Sequence, residues 1–167
     1  MGLAFFSVSA QAQKETRPTV PDAMQPPQDE QIVLKAHGSG VQIYSCQGDG
    51  SGKFSWALKA PQANLMDGKG KVIGEHSAGP TWKLTDGSEV DGKAAAHADS
   101  PDSLSIPWLL INAAGHSGNG LLTNVTHVQR VNTQGGKAPA EGCDASHQNA
   151  ETQSNYGADY YFYAPAK

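Results

Sequence analysis

The chain has 167 residues, of which 38% are hydrophobic and 17% charged, and this is the size and composition of one ordinary globular domain. Its 19 Gly and 10 Pro predict many turns and exclude a helical bundle. The formal net charge of −4, without any run of basic residues, gives no electrostatic basis for binding nucleic acid or an anionic membrane surface.

The amino-terminal segment indicates export. Residues 1–12 are uncharged and partly apolar, and they end in Ala10-Gln11-Ala12, the small-x-small pattern that precedes a signal-peptidase cleavage site. Because the segment is short and lacks a basic start, we interpret it as the remnant of a signal peptide; a merely apolar tail is the alternative. Nothing after it approaches the roughly 20 apolar residues that span a bilayer, so we predict no membrane span and a periplasmic or extracellular protein.

Two regions follow this segment. Residues 13–31 carry four prolines among polar residues, which favours an extended, polyproline-like arm. From residue 32 onward, short apolar runs are broken by Gly, Asp and Pro at intervals of about 8 to 12 residues, the spacing typical of an antiparallel all-β sandwich or barrel. We therefore predict a single β domain over residues 32–167, with long loops and little helix.

The first predicted strands cover residues 32–36 and 40–46, separated by a glycine-containing break. Phe54, Trp56 and Leu58 then alternate with polar or small residues. Since side chains on a strand point alternately to its two faces, this pattern predicts a half-buried strand with an aromatic inner face.

The most apolar part of the chain predicts a long hairpin. Residues 108–111 and 121–131 have the composition of strands, and the sequence between them is rich in Gly and Ser. If residues 117–120 form the loop, the register places His127 opposite Leu110.

The carboxy-terminal part is predicted to contain a long loop and a last strand. Residues 135–154 form the loop, with one helical turn near Ala145, and residues 158–163 form the strand. The strand places two aromatic side chains on each face, Tyr160 and Phe162 opposite Tyr161 and Tyr163.

Cys46 and Cys143 are the two cysteines, and in an oxidising compartment the simplest state of two cysteines is one disulfide. Closing so long a loop removes about 4 to 5 kcal/mol of unfolded-state entropy in the chain-entropy model. The alternatives are two buried free thiols, or a catalytic Cys143 paired with His147.

Several ordered stretches resemble a family of secreted bacterial and fungal proteins, domain-of-unknown-function family 3455. The resemblance covers about residues 20–163 and rests on Val41-Gln42-Ile43-Tyr44-Ser45-Cys46, Ala78-Gly79-Pro80-Thr81-Trp82, Ile106-Pro107-Trp108-Leu109-Leu110, residues 129–139, and Gly142-Cys143. It implies export, a Cys46–Cys143 link and a β-rich domain, and it gives no established activity. Some fungal members carry a malate dehydrogenase label, yet the sequence has no G-x-G-x-x-G between a strand and a helix to hold a dinucleotide.

The histidines predict neither a metal site nor a cofactor. No two of them have the i, i+2 spacing of a strand or the i, i+4 spacing of a helix that places two imidazoles on one ion. The six are His37, His76, His97, His116, His127 and His147.

Acid–base chemistry has one local candidate. Asp144 and His147 form the closest carboxylate and imidazole combination in the sequence, and His116 lies beside a serine in a glycine-rich turn. A small extracellular hydrolase or metal-assisted enzyme using these three residues is therefore the alternative interpretation, and it predicts that they converge in one cleft.

Ligand binding has different candidates. Tyr44, Trp82 and Trp108 lie near predicted strand ends, where aromatic rings can stack on sugars or other flat ligands; packing in the core is the alternative. Arg130 lies within a predicted strand, where it is expected to form either a buried ion pair, which we favour, or an anion-binding fork. We predict an exported, non-enzymatic protein that binds a small molecule or glycan, or that is associated with the cell envelope.

Overall fold

The computed structural model describes residues 14–167 and confirms an all-β fold. Of the two architectures predicted, the chain adopts the barrel: eight antiparallel strands each pair with the next along the chain, and the last pairs with the first to close the sheet. The predicted signal segment, residues 1–12, lies outside the described residues. The strands are β1 (Glu30–Gly48), β2 (Phe54–Met66), β3 (Val72–Ser77), β4 (Thr81–Leu84), β5 (Glu89–Ala98), β6 (Trp108–Ser117), β7 (His127–Gly135) and β8 (Glu151–Pro165).

The two strands predicted over residues 32–36 and 40–46 are one continuous strand, β1, so the predicted break is wrong. Gly38 and Gly40 mark crowded positions in the barrel wall. A Cβ atom on Gly38 would lie 2.6 Å from Cε2 of Tyr160. Glycine is used here because a neighbouring side chain occupies the space of a Cβ.

The predicted hairpin has a longer connection and a different register. Residues 118–126 form turns between β6 and β7, and His127 lies opposite Asn112 rather than Leu110. The apolar character of this connection has another cause, because Leu122 and Val125 are fully buried and belong to the core. Apolar residues that close the end of a barrel carry the same sequence signal as a buried strand.

The strands β1, β2 and β8 extend beyond the closed part of the barrel. β3 pairs with β2 only from Ala63 to Met66, so residues 54–62 pair with β1 alone. The predicted aromatic inner face is therefore only partly covered: the Trp56 indole donates to the Glu141 carbonyl, whereas Leu58 is 56% exposed.

The predicted disulfide is confirmed. It joins Cys46 near the end of β1 to Cys143, with the two Cα atoms 5.3 Å apart. It links residues 136–150, which we call the stapled segment, to the part of β1 that extends beyond the closed barrel. The segment contains the predicted helical turn, a 3₁₀ turn at Ala145–His147, and β8 begins soon after it at Glu151.

The aromatic residues of β8 divide between two hydrophobic clusters, as the alternation predicts. Tyr160 and Phe162 point into the barrel, while Tyr161 and Tyr163 pack on its outer side. The outer cluster is covered by residues 14–29 of the predicted arm, which include a 3₁₀ turn with a fully buried Met24.

Candidate functional site

An open polar surface lies on the outer side of the wall formed by β8, β1, β2 and β3. Along β1 the outward positions are Ser39, Val41 and Ile43, because the inward positions alternate with them. Val41 and Ile43 are only partly exposed and form a narrow apolar strip. This strip is the floor of the surface that we call the outer groove.

Carboxamide side chains stand on both sides of the strip. Val41 lies between Asn155 of β8 and Gln62 of β2, and Ile43 pairs with Gln153. Asn64 pairs with Ser39 in the next row. These four carboxamides are exposed, and none of them has a side-chain hydrogen bond to another residue within 14–167.

Two adjoining depressions make up the outer groove. One has a volume of about 740 Å³ and extends across β2 towards Glu75, and the other has a volume of about 650 Å³ and extends across β8 towards Gln134. They share residues 39–41. Charge is scarce in the lining, with Glu75 the carboxylate of the larger depression, so the surface offers mainly neutral donors and acceptors.

One end of the groove carries an imidazole held by a carboxylate. The His37 ring donates from Nδ1 to Oδ1 of Asp159 at 3.0 Å, and Asn132 donates to Oδ2 of the same carboxylate at 2.9 Å. This hydrogen bond orients the ring and leaves its other nitrogen, Nε2, without a hydrogen-bond partner among the described residues beside the groove. Sequence reasoning missed the pair because the partners lie 122 residues apart and meet only through strand pairing.

Arg130 points into the barrel, where it pairs with Tyr160 and Leu109 on the neighbouring strands. The favoured ion pair is wrong: among residues 14–167 no carboxylate lies within salt-bridge distance. Instead, Nε and Nη2 both donate to the Pro107 carbonyl, at 3.2 and 2.7 Å. The sequence could not reveal this, because the register that surrounds Arg130 with aromatic rings is set by barrel closure.

The three predicted aromatic residues do not share a surface. Trp82 is 1% exposed and stacks on the buried His76, with ring centroids 4.6 Å apart. Tyr44 is buried near the stapled segment and donates to the Gly136 carbonyl at 2.6 Å. Trp108 packs on the outer side of the barrel against the cluster covered by the arm. The structure thus places these three residues in three different parts of the barrel.

His76 is kept neutral by its surroundings. Burial lowers its pKa to about 4, while a hydrogen bond from Nδ1 to the Thr81 carbonyl acts in the opposite direction. A neutral imidazole is what a stacked position inside the barrel requires, since a charged ring would be costly to desolvate.

The predicted acid–base residues lie at two different ends of the barrel. Asp144 and His147 are in contact, with Nδ1 and Oδ1 2.8 Å apart, and both are well exposed. Asp144 also caps the 3₁₀ turn by accepting from Ser146, and these bonds lower its pKa to about 2. His116 lies near the far end of β6, where it donates to the Val125 carbonyl.

Within the described part of the chain, no group of three or more His, Cys, Asp or Glu side chains is arranged to hold a metal ion. In this part of the chain, no helix has the length and hydropathy needed to cross a membrane.

The fold and its disulfide define a class: an all-β domain of eight antiparallel strands in one closed barrel, stapled between β1 and a long loop. The sequence matches the model of a family described as "Protein of unknown function (DUF3455)" over residues 26–164, and the chain belongs to this family. Searches among curated proteins and among solved structures found no match.

Proposed function

We propose that the protein is an exported, non-enzymatic binding protein that holds a neutral glycan in the outer groove. The observation that carries this proposal is the apolar strip of Val41 and Ile43 between two rows of uncommitted carboxamides. Sugars present C–H faces that pack on apolar surface and hydroxyl groups that both donate and accept hydrogen bonds.

The composition of the groove suits such a ligand. A carboxamide can donate and accept at the same time, so one Asn or Gln can bond two neighbouring hydroxyls of a sugar ring. The groove has few charged groups, which favours a neutral chain over an anionic one. Its open shape and the continuity of the two depressions suit an extended oligosaccharide better than a small enclosed ligand.

The disulfide is compatible with an exported protein, because such bonds persist in oxidising compartments. Export brings the groove into contact with the polysaccharides of an envelope or an extracellular medium.

Binding can be tested by isothermal titration calorimetry of the full chain with cellohexaose, maltohexaose and chitohexaose. We expect saturable binding of at least one of them. The double substitution Asn64→Ala with Asn155→Ala removes a carboxamide from each side of the strip, and we expect about a thirtyfold loss of affinity, since each neutral hydrogen bond contributes about 1 kcal/mol.

Two controls separate this groove from other surfaces. Asn124→Ala removes an exposed carboxamide in the β6–β7 connection and is expected to leave the affinity unchanged. His147→Ala is also expected to leave it unchanged. The proposal fails if none of the three hexasaccharides binds, or if the double variant binds as tightly as the parent. Cleavage of a hexasaccharide that His147→Ala abolishes without unfolding would instead support the hydrolase interpretation.

A further inference from the structure

Polar side chains point into the barrel from the neighbouring strands β1, β8 and β7. We call Gln42, Tyr156, Tyr160 and Arg130 the inner cluster. Arg130 lies inward on β7 beside Tyr160, and the Tyr156 and Tyr160 hydroxyls are 3.1 Å apart. Gln42 occupies the inward position of β1 that follows Gly40, the pairing partner of Tyr156.

The inner cluster contains a cation without a counter-charge. Arg130 is partly buried, and two of the five N–H groups of its guanidinium donate to the Pro107 carbonyl. A carbonyl dipole does not neutralise a full charge. The buried part of a guanidinium without a carboxylate partner is costly to desolvate, and an anion from solution would lower that cost.

Gln42 supplies an independent sign of a missing ligand. It is 2% exposed, and neither Nε2 nor Oε1 has a hydrogen-bond partner among residues 14–167. Buried carboxamides are almost always hydrogen-bonded, so the Gln42 amide calls for a partner from outside the chain, either water or a ligand. Tyr44, the next inward residue on β1, and Tyr156 both lie within the electrostatic reach of Arg130.

The hydroxyl pair of Tyr156 and Tyr160 has one free O–H donor, because the other proton forms the bond between them. Burial raises the pKa of Tyr156, and although its bond with Tyr160 and the charge of Arg130 act in the opposite direction, the net shift is upward. Burial also raises the pKa of Tyr160 well above its ordinary value. Both hydroxyls therefore stay protonated at neutral pH, so neither supplies a negative charge to the guanidinium, although Tyr160 lies within hydrogen-bonding reach of Arg130.

We propose that the inner cluster binds a small oxyanion, a carboxylate or a phosphate, with Arg130 as the charged fork and the Gln42 amide and the Tyr156 hydroxyl as further donors. Such a ligand supplies the missing negative charge, and its oxygen atoms accept from the planar guanidinium in the geometry that arginine favours. This site is separate from the outer groove and does not depend on glycan binding.

The experiment is calorimetric titration of the full chain with inorganic phosphate and, separately, with sodium benzoate at constant ionic strength. We expect saturable binding of at least one, and the one that binds identifies the oxyanion class. Arg130→Lys keeps the charge but removes the fork, and we expect affinity to fall at least about tenfold. Lys137→Gln, which removes a cation on the same side of the barrel, is the matched control and should bind as the parent does.

A spectroscopic readout keeps the test independent of variant folding. The chain has two arginines, Arg17 and Arg130, so ¹⁵N-labelled protein gives two Nε–H signals, and Arg17→Lys assigns them. We expect only the Arg130 signal to move with phosphate or benzoate. The proposal is overturned if neither oxyanion moves it, or if Lys137→Gln abolishes binding while Arg130→Lys does not. The Asn64→Ala, Asn155→Ala variant should retain oxyanion binding, so the two proposals can fail separately.

Discussion

The two faces of β1 differ in how fully their side chains are engaged within the protein. Inward residues such as Tyr44 and Cys46 are buried and have a hydrogen bond or a disulfide to the stapled segment. Outward residues such as Ser39, Val41 and Ile43 lie in an open groove between exposed carboxamides. Both sets belong to one strand and alternate along it.

Folding constrains the residue types at the inward positions of β1 and leaves those at the outward positions free to vary. An inward position is constrained by the volume of its neighbours, so its residue type is explained by packing. An exposed carboxamide is satisfied by water and contributes little to stability, so a row of them on both sides of one strip is not explained by folding. A function is therefore expected on the outer face. Gln42 is the inward residue of β1 that packing does not explain, because its buried carboxamide has no hydrogen-bond partner among the described residues.

The largest expected effect is the loss of an inward aromatic residue. Trp82→Ala removes a fully buried indole that stacks on His76, and we expect a loss of about 3 to 5 kcal/mol in the free energy of unfolding, measured by urea denaturation. Leu58→Ala, at an exposed position of β2, is the comparison and should cost far less. Similar losses of unfolding free energy in the two variants would contradict the distinction between buried and exposed positions.

Removal of the disulfide is expected to cost about 2 to 4 kcal/mol. This is less than the about 4 to 5 kcal/mol of the chain-entropy model, because an unfolded chain that retains some structure regains less entropy. The paired change Cys46→Ser with Cys143→Ser avoids a free thiol. Hydrogen exchange should then rise first in the stapled segment, residues 136–150, and change little in β4 and β5. Uniformly faster exchange would show that the staple stabilises the barrel as a whole.

Acidification should act through His76. Its pKa is about 4 in the folded protein and 6.5 when unperturbed, so the unfolded chain binds more protons between these values. Stability from this group is complete above about pH 6.5 and falls as the pH drops towards 4, by at most about 3 kcal/mol. As the pH falls across this range, the parent should lose up to about 3 kcal/mol of unfolding free energy relative to His76→Phe, which has no group that titrates at this position. An unchanged difference between the two would refute the assignment.

The smallest effect belongs to the outer groove. Asn64→Ala with Asn155→Ala should change the unfolding free energy by less than about 1 kcal/mol, since both side chains are exposed and without partners in the described chain. The thermal midpoint of this variant, measured beside that of the parent, checks the expectation. A large loss would mean that these carboxamides are structural.

Much of the local structure could be predicted from the sequence. The spacing of apolar runs and turns predicts the all-β class, and the alternation over residues 158–163 assigns Tyr160 and Phe162 to one face and Tyr161 and Tyr163 to the other. The break near Gly38 and the strand over residues 121–126 were wrong. In both places a packing requirement produced the same residue pattern as a turn or a strand.

The candidate sites could be predicted less well. Arg130 was identified as a residue of interest, but its inward position without a carboxylate partner depends on the pairing of β6, β7 and β8. The pairing of His37 with Asp159, and the two rows of carboxamides, join positions that are far apart in the chain.

The sequence by itself determined the residue types, the alternation within each strand and the two cysteines that can be linked, since these depend on local periodicity and composition. The tertiary structure alone decided the closure of the sheet, the register between strands, and hence which side chains meet. The physical reason is that strand pairing is non-local: a shift of one residue moves every side chain of a strand to the other face, and only the packing of the whole barrel selects the register.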